Sequence, residues 1–197
     1  VNKMHELSFL IYNLVIFPII AGLLIVNKDF VSFFLGKDFQ EAYLAIAIMV
    51  FRMFFIGWTN IMGIQILIPH NKHREFMLST TIPAVVSVGL NLLLIPPFGF
   101  VGASIVSVLT EALVWFIQLY FCLPYLKEVP ILESLAKIVC ASTMMYGLLL
   151  SAKPFLHFPP TLNVLVYAVL GGLIYLLAIL VLKVVDVKEL KQIIGEN

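Results

Sequence analysis

The sequence is poor in charged residues: Asp, Glu, Lys and Arg make up 12% of its 197 residues, whereas a soluble domain has about 25%. The formal net charge is only +1, which excludes the strongly basic surface of a nucleic-acid-binding protein. There are just two cysteines, and both lie in apolar runs. This setting favours small buried hydrophobic side chains over a disulfide or a metal site.

Sequence signatures of enzymes are also missing. The chain has no GxSxG motif, no Walker loop, no HExxH motif and no dinucleotide-binding glycine fingerprint. His70 and His73 lack the spacing of a zinc-binding HExxH pair. We therefore expect no enzyme activity, no metal and no cofactor.

Apolar residues dominate instead. The chain is 62% hydrophobic with a mean hydropathy of +1.08, against about 45–50% apolar residues in a soluble domain. Long apolar runs can each cross about 30 Å of hydrocarbon as a helix, and they lack the alternation of a membrane barrel. The sequence predicts an all-α polytopic membrane protein with six transmembrane helices, at residues 7–26, 42–68, 77–95, 100–123, 134–152 and 161–182.

The distribution of Lys and Arg predicts that both ends of the chain are cytoplasmic, because cytoplasmic loops carry the excess of basic residues. The amphipathic tail 183–194 is expected either to lie along the inner membrane surface or to be solvated. The side that holds both ends carries Lys3, Lys72, Arg74, Lys127, Lys183, Lys188 and Lys191, with Lys137 just inside the fifth run; the opposite side carries Lys28, Lys37 and Lys153.

One polar stripe runs along the fourth predicted helix. At 100° per residue, Ser104, Ser107, Glu111, Trp115 and Gln118 fall on one face. A carboxylate at the bilayer centre costs about 2.5–3.5 kcal/mol on the insertion scale, so this face is expected to meet protein or water. Two interpretations stay open: Glu111 lines a substrate or ion path, or the small serines form a helix-packing seam.

The third predicted helix carries a second stripe of Thr80, Ala84, Ser87 and Asn91. Small hydrogen-bonding residues at this spacing favour a packing seam. Pro83 is expected to loosen the same helix, because its ring removes a backbone hydrogen bond.

Arg52 lies deep inside the second predicted helix. If this helix and the fourth both begin on the outer face, Arg52 and Glu111 lie about 15–17 Å deep, near the midplane. Three interpretations compete: Arg52 pairs with Glu111, it binds an anion such as phosphate in a water-filled cavity, or it extends outward to the interface. The basic loop 69–76, which contains Lys72 and Arg74, either anchors the cytoplasmic side or contacts an anionic lipid headgroup first.

Several local motifs follow one another in a characteristic order. They are Pro18 to Gly22, Phe34-Leu35-Gly36, residues 39–42, Gln-Ile-Leu-Ile-Pro at 65–69 before a basic loop, Leu90-Asn91, Leu94-Ile95-Pro96, residues 98–104 and Glu111. Together they resemble the polysaccharide (O-unit) flippases of bacterial envelopes, a family of the multidrug/oligosaccharidyl-lipid/polysaccharide exporter superfamily. The similarity covers roughly residues 8–125, and its most specific part is the order Asn, Pro, Gly, Gly-Ala-Ser and Glu.

The resemblance implies two lobes of about 12 to 14 helices in all around a central cavity. Residues 1–125 would be the last four helices of the second lobe, and residues 126–197 a terminal helix pair with a cytoplasmic tail. We expect the first lobe to lie outside this sequence, which begins at Val1. The expected partners are that lobe or polysaccharide assembly proteins.

The implied function is translocation of an undecaprenyl-pyrophosphate-linked oligosaccharide across the bacterial cytoplasmic membrane. The candidate substrate-binding residues are Arg52, Glu111, Gln118, Asn91, Lys72 and Arg74. The alternatives are a drug or small-metabolite exporter of the same superfamily, or a membrane enzyme or scaffold of envelope polysaccharide assembly. The enzyme hypothesis would need a catalytic cluster in a long outer loop, and the longest predicted one, 27–41, has none.

Overall fold

A computed structural model describes residues 2–126, 131–155 and 158–184, and the regular elements in these ranges are all helical. The all-α prediction is therefore confirmed. Five of the helices are long and apolar enough to cross a membrane. The predicted amphipathic tail lies almost wholly outside the described residues. The long helices are α1 (Asn2–Phe34), α2 (Ala42–Asn60, continued by a π-helical segment Ile61–Leu67), α3 (His73–Leu126), α4 (Ile131–Ala152) and α5 (Pro160–Val181).

Helix α3 contains both the third and the fourth predicted runs and folds back on itself at Gly99. That residue has φ 54° and ψ −132°, a backbone conformation open to glycine because it has no Cβ. The Gln118 side-chain amide donates to the Ser79 hydroxyl at 3.2 Å, although 39 residues separate them. A straight helix would hold these residues about 58 Å apart. The two arms of α3, 73–98 and 100–126, are therefore antiparallel neighbours.

Helix α1 is longer than predicted. The sequence predicted a loop before residue 7 and another over 27–41, whereas α1 spans Asn2–Phe34 and only a short connection precedes α2. The prediction followed hydropathy, which marks the hydrocarbon boundary. Backbone hydrogen bonding does not stop at that boundary, so polar flanking residues extend the helix into the interface.

Helix α1 lies at the centre of the bundle and packs against α2, α4 and α5. It runs antiparallel to α2, because Ser8 bonds Gln65 while Asn13 bonds Trp58. Helix α1 runs parallel to α4. Residues near the start of α4 line a small cavity together with Asn13, and Lys153, just after the end of α4, donates to the Ile25 carbonyl.

The contact between α1 and α2 depends on Gly57. A Cβ at this position would fall inside the ring of Tyr12, so only glycine lets that ring lie flat against α2. The Tyr12 hydroxyl donates to the Met53 carbonyl one turn earlier on α2. This contact fixes the height of α2 relative to α1, and with it the depth of Arg52.

Candidate functional site

Arg52 and Glu111 form an ion pair between α2 and the second arm of α3. Arg52 Nη2 donates to Glu111 Oε1 at 2.8 Å, and Arg52 Nε donates to the same oxygen at 3.3 Å. The first of the three interpretations of Arg52 is therefore observed in the structure. Charge-assisted bonds of this kind are about twice as strong as neutral ones.

The pair forms because α2 and the second arm of α3 run in parallel and in register. Further along the same two helices, Trp58 lies against Trp115 with ring centroids 6.0 Å apart. Cys122 Sγ then lies 3.7 Å from the Met62 carbonyl. Each residue of the pair lies more than two helical turns inside its helix, so the pair lies far from either end of the bundle.

The position of the pair sets it apart electrostatically. In the described ranges, the other charged side chains lie within about two turns of a helix end. The side chain of Arg52 keeps 36% of its surface exposed and that of Glu111 keeps 20%. A charge at the bilayer centre is unfavourable by about 2.5–3.5 kcal/mol, so this opening is expected to face water or another polar group.

The pair leaves hydrogen-bonding capacity unused. The two Arg52 nitrogens that donate to Glu111, Nε and Nη2, bond the same carboxylate oxygen. Within the described part of the chain, Arg52 Nη1 and Glu111 Oε2 have no hydrogen-bond partner. A guanidinium offers five N–H donors in a planar fork that matches phosphate oxygens. The pair can therefore bind an anion at Arg52 without first being broken.

A cluster of aromatic residues joins α2 and α3 up to about two turns beyond the pair. Trp115 lies one turn beyond Glu111, and its ring packs against Phe54, Phe55 and Trp58. Phe54 and Phe55 also line a cavity of about 610 Å³ between α1, α2 and α4. The walls of this cavity are almost entirely apolar, so it suits a hydrocarbon or aromatic group.

Gln118 was predicted to bind substrate, but it lies in closed packing. Its side chain is 1% exposed, and its amide bonds Ser79, which is 0% exposed. It is about two turns from Glu111 along the helix. Periodicity placed it correctly on the face of Glu111, and the first arm of α3 covers that end of the stripe, so Gln118 is enclosed between the two arms.

The same stripe is therefore partly a seam and partly open. Ser104 at its other end is buried and bonds the Phe100 carbonyl, whereas Glu111 in the middle faces Arg52. The packing-seam interpretation therefore applies to the two ends of the stripe, whereas the interpretation that Glu111 lines a substrate or ion path stays a prediction.

Asn91 is half-buried and bonds within its own helix. Its amide donates to the Ser87 carbonyl at 2.9 Å and to the Ser87 hydroxyl at 3.3 Å. The structure thus brings it to Ser87 and not to the ion pair. Thr80 and Ala84 of the same stripe are exposed, so the stripe does not form the predicted seam along its whole length within the described chain.

Lys72 lies immediately before α3 and Arg74 lies in its first turn, at the end of the bundle. Both are exposed, and Lys72 Nζ bonds Glu75 Oε1 at 2.9 Å. This hydrogen bond raises the pKa of Lys72. Lys72 is 20 residues beyond Arg52 in the sequence. The structure therefore places Lys72 and Arg74 at one end of the bundle, apart from the Arg52–Glu111 pair.

Sequence reasoning missed one polar contact in the core. Asn13, 2% exposed, accepts a hydrogen bond from the Trp58 indole N–H at 3.0 Å. A lone asparagine in an apolar run is a usable signal for such a contact, because buried polar groups are normally paired. The identity of its partner could not be predicted.

The described residues contain no group of three His, Cys, Asp or Glu side chains that could hold a metal ion. Comparison of the chain with protein-family models, with curated proteins and with solved structures found no match in any of the three.

Proposed function

We propose that the chain is part of a transporter that moves an anionic, lipid-linked oligosaccharide across the bacterial cytoplasmic membrane. The Arg52–Glu111 pair carries the proposal. It puts a cation with unused donors, partly exposed, far from the bundle ends. A pyrophosphate group linking lipid and sugar is the kind of ligand such a guanidinium binds.

The proposed topology has six crossings. Each arm of α3 counts as one crossing, because each is longer than the roughly 20 residues that a crossing needs. Successive helices then alternate in direction, and both ends of the chain lie on the side of Lys72 and Arg74. That side is the cytoplasm by the excess of basic residues.

The other lobe of the transporter completes the site in this proposal. Arg52 is 36% exposed in the chain as described, and facing hydrocarbon would leave its unused donors without partners. A facing lobe would enclose a water-filled cavity at this depth, where the carboxylate and the guanidinium are solvated. Glu111 could then also take a coupling cation.

The test is anion binding by the purified chain in lipid nanodiscs, with farnesyl pyrophosphate as the probe. Arg52→Ala should lower affinity at least tenfold, because it removes the donors. Lys137→Ala is the matched control: it also breaks a Lys/Arg–Glu pair, but near the start of α4, and it should bind like the parent. Equal affinity of the parent and Arg52→Ala for farnesyl pyrophosphate would refute the proposal.

The same residues can be tested in cells that depend on this protein for surface polysaccharide. Arg52→Ala and Glu111→Gln should abolish surface polysaccharide while membrane insertion is retained. Normal polysaccharide in both variants would leave the pair a structural role only.

The aromatic cavity favours a second candidate function, the export of hydrophobic small molecules. Its volume of about 610 Å³ lies in the range of drug-sized sites, about 300–1,000 Å³. Tetraphenylphosphonium separates the two candidates. An exporter of lipophilic cations should bind it with no dependence on Arg52, and should not bind farnesyl pyrophosphate.

The topology is tested with a membrane-impermeant amine reagent on sealed vesicles. Lys72 should react only when the cytoplasmic face is accessible, and Lys153 only from the other face. Glu75→Gln should speed the reaction of Lys72 below its pKa, because the hydrogen bond that raises this pKa is weakened. Reaction of both lysines from one side would refute the six-crossing arrangement.

A further inference from the structure

Pro18 interrupts the backbone hydrogen bonding of α1 in the middle of the helix. In an unbroken helix the carbonyl of Leu14 would accept a hydrogen bond from the N–H of residue 18. Proline has no N–H, so this carbonyl loses its normal partner. Inside a membrane, a freed backbone group has to be satisfied by a neighbouring helix, a side chain or water.

Helix α5 supplies the missing donor. The Tyr175 hydroxyl donates to the Leu14 carbonyl at 2.8 Å, and the Tyr175 side chain is 6% exposed. The two residues are 161 positions apart in the sequence. The bond therefore links α5 to the carbonyl of α1 that Pro18 leaves without its normal donor.

Helix α5 also holds α1 on the far side of the break. The Asn163 amide donates to Asp29 Oδ2 at 3.3 Å, and residues of both helices, among them Val26 and Gly171, line a cavity of about 360 Å³. Helix α5 is continuous from Pro160 to Val181. A continuous helix is thus attached to α1 both before and after Pro18.

The two halves of α1 belong to different buried clusters, although α2 also packs against residues on both sides of Pro18. Before the break, Phe9 belongs to a buried cluster with residues of α2, the π-helical segment and α3. After the break, Ile25 and Val26 belong to a cluster with α4 and α5. The cavity of about 610 Å³ between α1, α2 and α4 opens beside Phe17 and Ile20, immediately around Pro18. Any change of angle at Pro18 would change the width of that cavity.

We propose that Tyr175 is a positioning residue that sets the angle of α1 at Pro18 and so the shape of the cavity between α1, α2 and α4. Helix α5 is bonded to α1 on both sides of Pro18 and so holds the two halves of α1 at a fixed angle. The hydroxyl of Tyr175 is the part that does this, since it is the group that bonds the freed carbonyl. The role concerns the described helices alone and does not require the proposed transport function.

Hydrogen exchange of the chain in lipid nanodiscs, followed by mass spectrometry, tests this role. Tyr175→Phe should raise exchange about tenfold or more in the peptide covering residues 15–24, while the arms of α3 keep the parent's protection. Tyr167→Phe is the matched control. Tyr167 lies on the same helix and is 4% exposed, but its hydroxyl has no partner in the described chain, so its loss should leave this peptide unchanged.

Pro18→Ala makes the test specific. Alanine restores the N–H that the Leu14 carbonyl lacks, so Tyr175→Phe should have less than about a third of its effect in that background. The proposal is wrong if Tyr175→Phe leaves exchange in residues 15–24 at the parent level. It is also wrong if the increase spreads equally through α3, or if it is as large in the Pro18→Ala background.

Discussion

The Arg52–Glu111 pair gives the sharpest energetic prediction, a thermodynamic coupling between two residues 59 positions apart. The perturbations are Arg52→Met, Glu111→Leu and the double variant. Each single change leaves one unpaired charge where it costs about 2.5–3.5 kcal/mol if no water reaches it. The observed exposures of 36% and 20% allow partial solvation, so we expect a loss of about 1–3 kcal/mol for each single variant.

The two single variants should differ in size. Glu111→Leu leaves a guanidinium, which stays charged in proteins, whereas Arg52→Met leaves a carboxylate that can be neutralised by a proton. Glu111→Leu should therefore be the more damaging. The double variant removes both charges and should be about as stable as the parent, as is common when a buried pair is replaced by apolar residues.

The assay is reversible unfolding in mixed micelles, completed as a double-mutant cycle. Because the double variant is expected to match the parent, the coupling free energy equals the sum of the two single losses, about 2–6 kcal/mol, well above the additivity error of about 0.3–0.5 kcal/mol. Lys137 and Glu133 provide the control cycle, because this exposed pair near a helix end should show no measurable coupling. Additive losses at Arg52 and Glu111 would refute the claim that the two groups interact in the membrane.

Three further substitutions test the packing. Gly57→Ala should destabilise the chain by about 1–3 kcal/mol, because its Cβ would overlap the ring of Tyr12; an unchanged unfolding midpoint would contradict this contact. Gly99→Ala should cost about 1–3 kcal/mol from backbone conformation alone, since a Cβ there meets nothing within 4 Å. Gly89→Ala, also in open space, is the control for both and should cause no loss. Trp58→Phe should cost about 1–2 kcal/mol in the same assay, because it leaves a buried amide oxygen without its donor; stability equal to the parent would exclude that bond.

The sequence determined the class of fold and predicted a similar depth for the two charges. Low charge and long apolar runs leave the helix as the spanning structure, because every backbone group has to be paired in a bilayer. Counting residues at 1.5 Å each put Arg52 and Glu111 at similar depth. The reversal between the third and fourth runs was also predictable, since Gly99 can adopt a positive φ after two prolines.

Tertiary structure decided which faces meet. Helical periodicity gave Glu111 and Gln118 the same face, yet Glu111 reaches Arg52 while Gln118 is closed off by Ser79. Both outcomes satisfy the same local pattern, and only the placement of neighbouring helices separates them.

The same limit applies to the partner of the proline break. A proline inside a helix frees one carbonyl, but the sequence did not show that Tyr175 would satisfy the carbonyl of Leu14 from 161 residues away. Local sequence fixes which groups need a partner, because hydrogen bonding and solvation are local requirements. The identity of each partner depends on how the helices pack, because that packing sets which distant groups lie within hydrogen-bonding distance.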